Sequence, residues 1–228
     1  MNKCVKCPHA GKYAFCNLGA GARDFLDNQS VTLEYPRGSI LFREGERGAA
    51  IFLVCSGKVK VSASSSEGRS AIVRVAHHSD VLGMSAVLGE TEYEVTAEAL
   101  EPCMVRVLHA RALKQFMAEF RDATIGVAQA LAQDYKAAFQ EIRRIALPET
   151  PAGRLSRLIL DWAEEHAAIG SSSFVINLTH EELASMTSTT RETITRTLSR
   201  LRKDNVITTK GVSFTILNPA MLHQLAAS

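Results

Sequence analysis

Between residues 39 and 108, apolar and polar positions alternate in short segments that glycine-containing turns separate. Alternation with a period of two predicts strands, and short strands at regular spacing predict a small antiparallel barrel or sandwich. The predicted strands are Ser39–Arg43, Ala50–Val54, Lys58–Val61, Ser70–Val75, Val95–Ala99 and Met104–Leu108. A short helix over residues 21–30 is expected to precede them.

From Asp122 the pattern becomes helical and continues to Pro148. Its apolar residues recur three and four positions apart, which is the spacing of a heptad seam. The seam residues are Ile125, Ala128, Ala132, Tyr135, Phe139 and Ile142. A second apolar set around Val127 and Leu131 is expected to face the chain's own strands, which leaves the seam for a second copy of the chain. The alternative is one wide stripe buried within a monomer.

Two prolines, Pro148 and Pro151, end this helix and mark the start of a C-terminal domain. The elements predicted there are a helix over Arg154–Ala167, a strand over Val175–Leu178, two short helices around a polar turn at Thr187–Thr189, a hairpin over Val206–Ile216 and a closing helix over Pro219–Ala227. Thr179 and Glu182 have the spacing of a capping box at the start of the first short helix. This is helix-turn-helix spacing, and the hairpin has the position of a wing.

The second of the two short helices has an apolar face and a polar face when its residues are placed on a wheel. The apolar residues are Ile194, Leu198 and Leu201, whereas Arg191, Glu192, Thr195 and Arg196 lie on the other side. Arginine binds the O6 and N7 atoms of guanine through two hydrogen bonds, and glutamate accepts from the N4 amine of cytosine. The pattern predicts a DNA recognition helix, with a solvated face carrying a Glu192–Arg196 pair as the alternative.

Charge adds to this interpretation because it is concentrated around the same helix. The 228-residue chain has a formal net charge of +2, yet residues 186–210 hold six basic and two acidic side chains, a local charge of +4. A local basic surface is suited to contacts with DNA phosphates.

The composition bounds the class of protein and its compartment. Hydrophobic residues make up 46% of the chain, which is enough for a buried core. The sequence has no apolar run near the ~20 residues of a membrane span and no apolar N-terminal segment typical of a secretory signal. With five cysteines and no export signal, we expect a reducing, cytoplasmic compartment, where metal binding or redox chemistry is favoured over structural disulfides.

Three of the cysteines lie in the first 20 residues, at Cys4, Cys7 and Cys16. In this C-x2-C-x8-C arrangement two thiolates converge on one metal ion or cluster, and a third returns after a short loop. Thiolates bind zinc and iron–sulfur clusters. A local zinc site that also uses His9 and a reduced arm without metal are the open alternatives.

Residues Thr190–Arg196 (TRETITR), taken with Gly38–Glu46 (GSILFREGE) and the long helix, resemble the Crp/Fnr family of bacterial transcription regulators over nearly the whole chain. The resemblance implies an α+β fold in which a double-stranded β-helix, or β-roll, similar to that of cyclic-nucleotide-binding proteins precedes a winged helix-turn-helix. The implied divisions are a cysteine arm at 1–20, a β-roll sensor domain at 21–120, a dimerisation helix at 121–147 and a DNA-binding domain at 148–228.

For DNA binding, the resemblance implies that Arg191, Glu192 and Arg196 read each half-site, which is close to TGTGA or TTGA. Thr190, Thr195 and Arg200 are expected to support them through base or phosphate contacts. The implied partners are a near-palindromic duplex, a second copy of the chain and RNA polymerase, with no membrane. We expect no enzymatic activity, since no nucleophile with a base and orienting group is discernible. A ligand-binding module with vestigial DNA binding is the alternative of another class.

For the signal, the arm is similar to that of the oxygen-sensing Fnr branch, which binds a [4Fe–4S] cluster through three N-terminal cysteines and one distant cysteine. The distant ligand expected here is Cys103, in the loop that Pro102 places before the last strand. The family's own position is occupied by Arg106, three residues later. Cys55 is the second candidate for this ligand. The alternative is that Cys55 serves only as a small buried hydrophobic residue.

A cyclic nucleotide is not expected as the effector. In nucleotide-binding relatives an arginine followed by Ser or Thr holds the phosphate, and a glutamate contacts the ribose. Here Thr91 and Glu92 occupy the arginine pair's positions, and Met84 replaces the glutamate. Nearby carboxylates repel a phosphate. Signal transfer is instead expected from a cluster through Phe139–Ile142 of the long helix.

Overall fold

The computed structural model describes residues 15, 18–64, 70–146, 150–167 and 173–227, without the side chains of 137, 140–146 and 165–167. The chain divides into two compact units, Met1–Phe139 and Gln140–Ser228. Across the described ranges, none of the helices combines the length and apolar character that a membrane crossing requires.

Two four-stranded antiparallel sheets form the centre of the first unit. The strands are β1 (Val31–Tyr35), β2 (Ile40–Phe42), β3 (Ala50–Ser56), β4 (Val59–Ser64), β5 (Ser70–Ala76), β6 (Val81–Leu82), β7 (Thr96–Ala99) and β8 (Cys103–His109). One sheet has the order β1-β8-β3-β6 and the other β2-β7-β4-β5. The predicted β-roll is therefore present, with β1 and β6 as strands that the alternation did not predict.

The roll is filled from inside by alternate side chains of both sheets. On β3 these are Ala50, Phe52 and Val54, and on β8 they include Val105 and Val107. Phe42 stacks on Tyr93 with ring centroids 4.1 Å apart, and Phe52 lies 5.1 Å from Phe42. Such aromatic pairs add to the stability that apolar burial gives the core.

The opposite face of β3 and β8 packs against a layer of helices. These helices are α1 (Ala20–Gln29), α2 (Met84–Gly89), α3 (Ala110–Glu119) and the first turns of α4 (Arg121–Ala146). Ile51, Leu53 and Leu108 project from the sheet into this layer, which also contains Phe15 and Leu18. We call this apolar cluster the outer core. It buries α4 at Ala123, Val127 and Ala130.

One ion pair is buried between the sheet and α1. Arg106 of β8 donates to the Asp27 carboxylate, and their side chains are only 5% and 9% exposed. Arg106 is thus on the outer face of β8, between two residues, Val105 and Val107, that face the roll interior. The pair joins α1 to the sheet with charge rather than with apolar contacts alone.

The second unit consists of helices around a small three-stranded sheet. Its elements are α5 (Pro151–Ala167), β9 (Ser173–Val175), α6 (His180–Met186), α7 (Arg191–Lys203), β10 (Ile207–Lys210), β11 (Ser213–Ile216) and α8 (Pro219–Ala226). The sheet order is β10-β11-β9, fully antiparallel. The predicted helix-turn-helix, hairpin and closing helix are confirmed.

Three local predictions are wrong. The strand expected over Val175–Leu178 is β9, which ends at Val175. The helix expected from Arg154 begins at Pro151, because proline is well suited to a first helical position, where no N–H is required. Cys103 is the first residue of β8 rather than part of the preceding loop. Pro148 lies outside the described residues.

Replacing Arg106 with Met should lower the free energy of unfolding by about 3–5 kcal/mol, because the Asp27 carboxylate would stay buried without its cation. The matched control is Lys114→Met, which breaks the exposed Lys114–Glu90 pair and should cost far less, because solvent screens an exposed pair. Urea unfolding followed by circular dichroism measures both. Equal losses in the two variants would contradict the structural role of the buried pair.

Candidate nucleic-acid interface

The helix-turn-helix begins with a complete capping box at α6. The Thr179 hydroxyl accepts from the Glu182 amide at 3.2 Å, and the Glu182 carboxylate accepts from the Thr179 amide at 2.8 Å. Two amides that the first helical turn leaves without partners are satisfied in this way. Leu183, Ala184 and Met186 then bury the other side of the helix.

The turn between α6 and α7 is held by hydrogen bonds from both sides. Thr187 is fully buried and donates its hydroxyl proton to the Leu183 carbonyl at 2.7 Å. Ser188 has a φ of 47°, a left-handed conformation that lets the chain reverse direction. From α5, Arg154 donates to the carbonyls of Thr187 at 2.6 Å and Ser188 at 3.1 Å. The start of α7 is therefore fixed relative to α6.

Helix α7 has the two faces that its sequence predicts. Thr190 caps it by accepting from the Thr193 amide, and Ile194, Leu198 and Leu201 are buried. The side chains predicted to contact DNA are all exposed, and they are Thr190, Arg191, Glu192, Thr195, Arg196 and Arg200. A buried apolar face and an exposed polar one on a capped helix are the requirements for insertion into a major groove.

The two arginines at the start of α7 are available for external partners. Within the described part of the chain, neither Arg191 nor Arg196 makes a side-chain hydrogen bond or ion pair. The pKa of the Glu192 carboxyl is held below its usual value, first by its own backbone amide and then by the Thr190 hydroxyl. Glu192 therefore remains an ionised acceptor beside two guanidinium donors. The Glu192–Arg196 pair expected in the alternative interpretation is not among the described ion pairs.

Further along α7, the basic side chains have different environments. Arg200 forms a long, exposed contact with Asp204 at 3.6 Å. Arg202 donates to the Thr209 hydroxyl at 3.3 Å and the Ser199 hydroxyl at 3.2 Å, which connects α7 with β10 of the wing. The predicted support by Arg200 stays a prediction, and the role of Arg202 in holding the wing was not foreseen from the sequence.

The two described cysteines lie on opposite faces of the roll sheet. Cys103 is 3% exposed in the roll interior, where its Sγ contacts the carbonyls of Glu101 at 3.1 Å and Lys58 at 3.3 Å. A Cβ on Gly57 would lie 2.6 Å from this sulfur, so the site is closely packed. Burial raises the pKa of the Cys103 thiol, which disfavours the thiolate that metals bind.

Cys55, in contrast, faces the outer core. It is half-buried near the end of β3 and packs against the cluster that contains Phe15 and Leu18. His78 Nδ1 donates to the Cys55 carbonyl at 2.6 Å, from the turn that follows β5. Cys4, Cys7, His9 and Cys16 lie outside the described residues, so the arm site stays a prediction. Among the residues that are described, no group of three His, Cys, Asp or Glu side chains forms a metal site.

The stretch compared with the nucleotide site has a different chemistry from that of a phosphate pocket. An open cleft of about 850 Å³ is lined by Glu44, Glu90, Glu92 and Glu94, with Arg47 as the cation among them. Lys114 also pairs with Glu90, so the carboxylates are partly compensated. Tyr93, which the sequence reasoning overlooked, turns inward from this stretch and exchanges hydrogen bonds with Ala50.

Each of the two units contains a stretch that matches a known protein-family model. Residues 32–120 match the cyclic nucleotide-binding domain model, and residues 153–225 match the Crp-like helix-turn-helix domain model. The cAMP-activated, CRP-like global transcriptional regulator of Mycobacterium tuberculosis is 23% identical over 203 residues, 88% of this chain and 90% of its own length. The anaerobic regulatory protein of Bacillus subtilis is 24% identical over 187 residues, 81% and 78% of the two chains.

A solved structure shares the fold. The structure of FixK2 from Bradyrhizobium japonicum superposes with a TM-score of 0.79 at 19% identity, covering 87% of this chain and 98% of FixK2. A roll of the cyclic nucleotide-binding type followed by a Crp-like helix-turn-helix defines a DNA-binding transcription regulator. The chain is a transcription regulator of the Crp/Fnr type.

Proposed function

We propose that this protein is a homodimer that reads a near-palindromic DNA site, and that an iron–sulfur cluster on its N-terminal cysteines controls its affinity for DNA. The observation that supports DNA reading most directly is the exposed start of α7. Arg191 and Arg196 project there without a side-chain hydrogen bond or ion pair in the described chain, and Glu192 lies exposed beside them. RNA polymerase is proposed as a further partner, with no residue assigned to it.

In this proposal Arg191 and Arg196 each bind the O6 and N7 edge of a guanine, and Glu192 accepts from a cytosine amine. Thr190, Thr195 and Arg200 support them through base or phosphate contacts. Since Arg191 adds a second guanine-reading group, a TGTGA half-site is favoured over TTGA.

Replacing Arg196 with Ala should weaken binding to a duplex with two inverted TGTGA half-sites by roughly 1–3 kcal/mol per half-site, because one base loses its guanidinium partner. The variant should also lose discrimination at that base. Fluorescence anisotropy with labelled duplexes, at one fixed salt concentration, measures both effects.

The matched control is Arg111→Ala, which removes an exposed arginine of α3 in the other unit. It should leave DNA affinity within a factor of about two, because surface substitutions away from a site have small effects. An unchanged affinity and an unchanged footprint in Arg196→Ala would contradict the proposed readout. Absent or salt-insensitive DNA binding by the unaltered protein would favour the vestigial alternative.

The proposed dimer uses the exposed seam of α4. Ile125 is 49%, Tyr135 72% and Phe139 50% exposed, and the rings of Tyr135 and Phe139 stack at 6.2 Å. Ala128 and Ala132 are exposed on the same helix, while the side chain of Ile142 is not among those described. Large apolar side chains in a row on one helix are favourable only if a partner covers them. A second copy of α4 also gives the two-fold symmetry that a palindrome requires.

Replacing Phe139 with Glu should convert the dimer to a monomer at micromolar concentration, because a carboxylate would be buried at the seam. Gln133→Glu is the matched control: it adds the same charge to α4 at an exposed position outside the predicted seam, and it should remain dimeric. Analytical ultracentrifugation gives the mass of each. A monomeric unaltered protein, or a dimeric Phe139→Glu variant, would contradict the seam assignment.

For the signal, we propose that Cys4, Cys7 and Cys16 bind a [4Fe–4S] cluster together with a distant cysteine. Such a cluster, when bound, supplies an oxygen-sensitive redox group. The expected fourth ligand Cys103 does not fit, because it is buried on the interior face of the sheet with a raised thiol pKa. Cys55 fits better: it is on the outer face, against the cluster that holds Phe15, the residue before Cys16.

The outer core offers a physical route for the signal. Phe15 and Leu18 share the outer core with Ala123 and Val127 of α4, so a change in the arm alters packing around the start of that helix. Arg74, on β5 of the roll, also connects the roll to α4. Its guanidinium donates to the carboxylate of Asp134 on α4 at 2.8 Å and to that of Asp80 in the roll at 3.1 Å. We propose that the change then passes along α4 through Phe139–Ile142 toward the second unit.

Protein purified without oxygen should contain roughly four irons and four acid-labile sulfides per chain, with absorbance that bleaches in air. Cys55→Ser should lose most of this iron, whereas Cys103→Ser should retain it and be less stable. Iron and sulfide assays with absorbance spectra measure the outcome.

Other outcomes would replace this effector. Iron retained in Cys55→Ser but lost in Cys103→Ser would restore Cys103 as the ligand. Stoichiometric zinc would make the arm structural. If the protein holds neither metal and cyclic AMP induces its binding to DNA, the effector would be cyclic AMP, as the name of the Mycobacterium tuberculosis relative states for that protein.

A further inference from the structure

A histidine outside the recognition helix contacts its DNA-facing side. His180 is the first residue of α6, and its Nδ1 lies 2.9 Å from the Thr195 hydroxyl on α7. Thr195 is one of the exposed residues proposed to face DNA. His180 therefore lies at the edge of the proposed interface, outside the set of residues that the sequence pattern predicts to contact DNA.

The Thr195 hydroxyl determines which nitrogen of His180 carries a proton. A hydroxyl has one proton, and that of Thr195 is donated to the Arg191 carbonyl at 2.9 Å. Thr195 must then accept from His180, so Nδ1 is the protonated nitrogen of the neutral ring. The second nitrogen, Nε2, has no hydrogen-bond partner within the described chain. In the neutral ring Nε2 accepts, and when it gains a proton it becomes a cationic donor.

The charged groups nearest His180 along the chain and on the contacting helix come from two elements, α6 and α7. On α6 they are Glu181 and Glu182, and the Glu182 carboxylate is engaged with Thr179. On α7 they are Arg191, Glu192 and Arg196, which flank Thr195 along the helix. Both signs are represented, so added negative charge from DNA would be the main change that favours a protonated ring.

We propose that His180 is a further DNA contact of this regulator: protonated Nε2 donates to a backbone phosphate, while Nδ1 orients the Thr195 hydroxyl. This inference rests on the proposed DNA-binding function. It makes affinity dependent on pH over the range in which histidine changes charge, between pH 8 and pH 5. A phosphate favours the protonated ring, so the contribution is present at low pH and is lost as pH rises.

The dissociation constant should be measured between pH 8.5 and pH 6.0 at fixed ionic strength, with the duplex that carries two inverted TGTGA half-sites. The unaltered dimer should bind about tenfold more tightly at pH 6.0 than at pH 8.0. His180→Gln keeps a donor near Thr195 without the titratable charge, and it should lose most of this dependence. His180→Arg carries a permanent cation and should bind tightly across the whole range.

The matched control is His223→Gln, which removes an exposed histidine of α8 in the same unit and should retain the pH dependence. The salt dependence gives a second readout: in the unaltered protein the slope of log K against log salt should steepen by roughly 0.9 per protomer from pH 8.0 to pH 6.0. A structural role for His180 would not change this slope.

Equal pH dependence in the unaltered protein and in His180→Gln would overturn the inference while leaving the proposed DNA reading intact. A pH-dependent loss in His180→Gln that His180→Arg does not rescue would also overturn it, because the contact would then not be electrostatic. A duplex that none of the proteins binds at any pH would overturn both the inference and the proposed function.

Discussion

The alternation of side chains along β3 and β8 is the constraint on which the first unit depends. Consecutive residues of a strand point to opposite faces, so each strand contributes to two separate apolar cores. Phe52, Val105 and Cys103 fill the roll, whereas Leu53, Cys55 and Arg106 face the helical layer. A sulfur atom on the interior face cannot bind a metal ion or cluster on the outer face without a change of register. The odd or even position of a cysteine therefore decides its chemistry as much as its distance along the chain does.

The second unit depends on a different constraint, which is the fixed position of α7. Its buried residues only hold the helix in place, and the direction in which it projects is set by the capped start of α6, the buried Thr187 and the two carbonyls bound by Arg154. A recognition helix must be rigid before it binds, since ordering it on contact with DNA would cost affinity. Hydrogen bonds to the turn and to the wing supply that rigidity, while the side chains of Arg191 and Arg196 take no part in them within the described chain.

Local patterns in the sequence predicted most elements. The cap at Thr179, the apolar face of α7 and the alternation in the longer strands are predicted correctly, because each depends on residues within one or two turns. The two-residue strand β6 and the short helix α2 carry too little pattern to be recognised. The face of Cys103 and the inward position of Tyr93 depend on where strands begin and which residues they pair with across the roll. Those are long-range contacts, and the sequence alone does not contain their register.

The separation of the two faces of α7 has a consequence for how this regulator can change over time. Ile194, Leu198 and Leu201 carry the packing, and Arg191, Glu192 and Arg196 carry none of it in the described chain. Under the proposed readout, substitutions at the exposed positions would alter base preference with little loss of stability. A lineage that duplicates such a gene can therefore acquire a new set of promoters through a few exposed substitutions, while the sensor, the fold and the response to its signal are inherited unchanged.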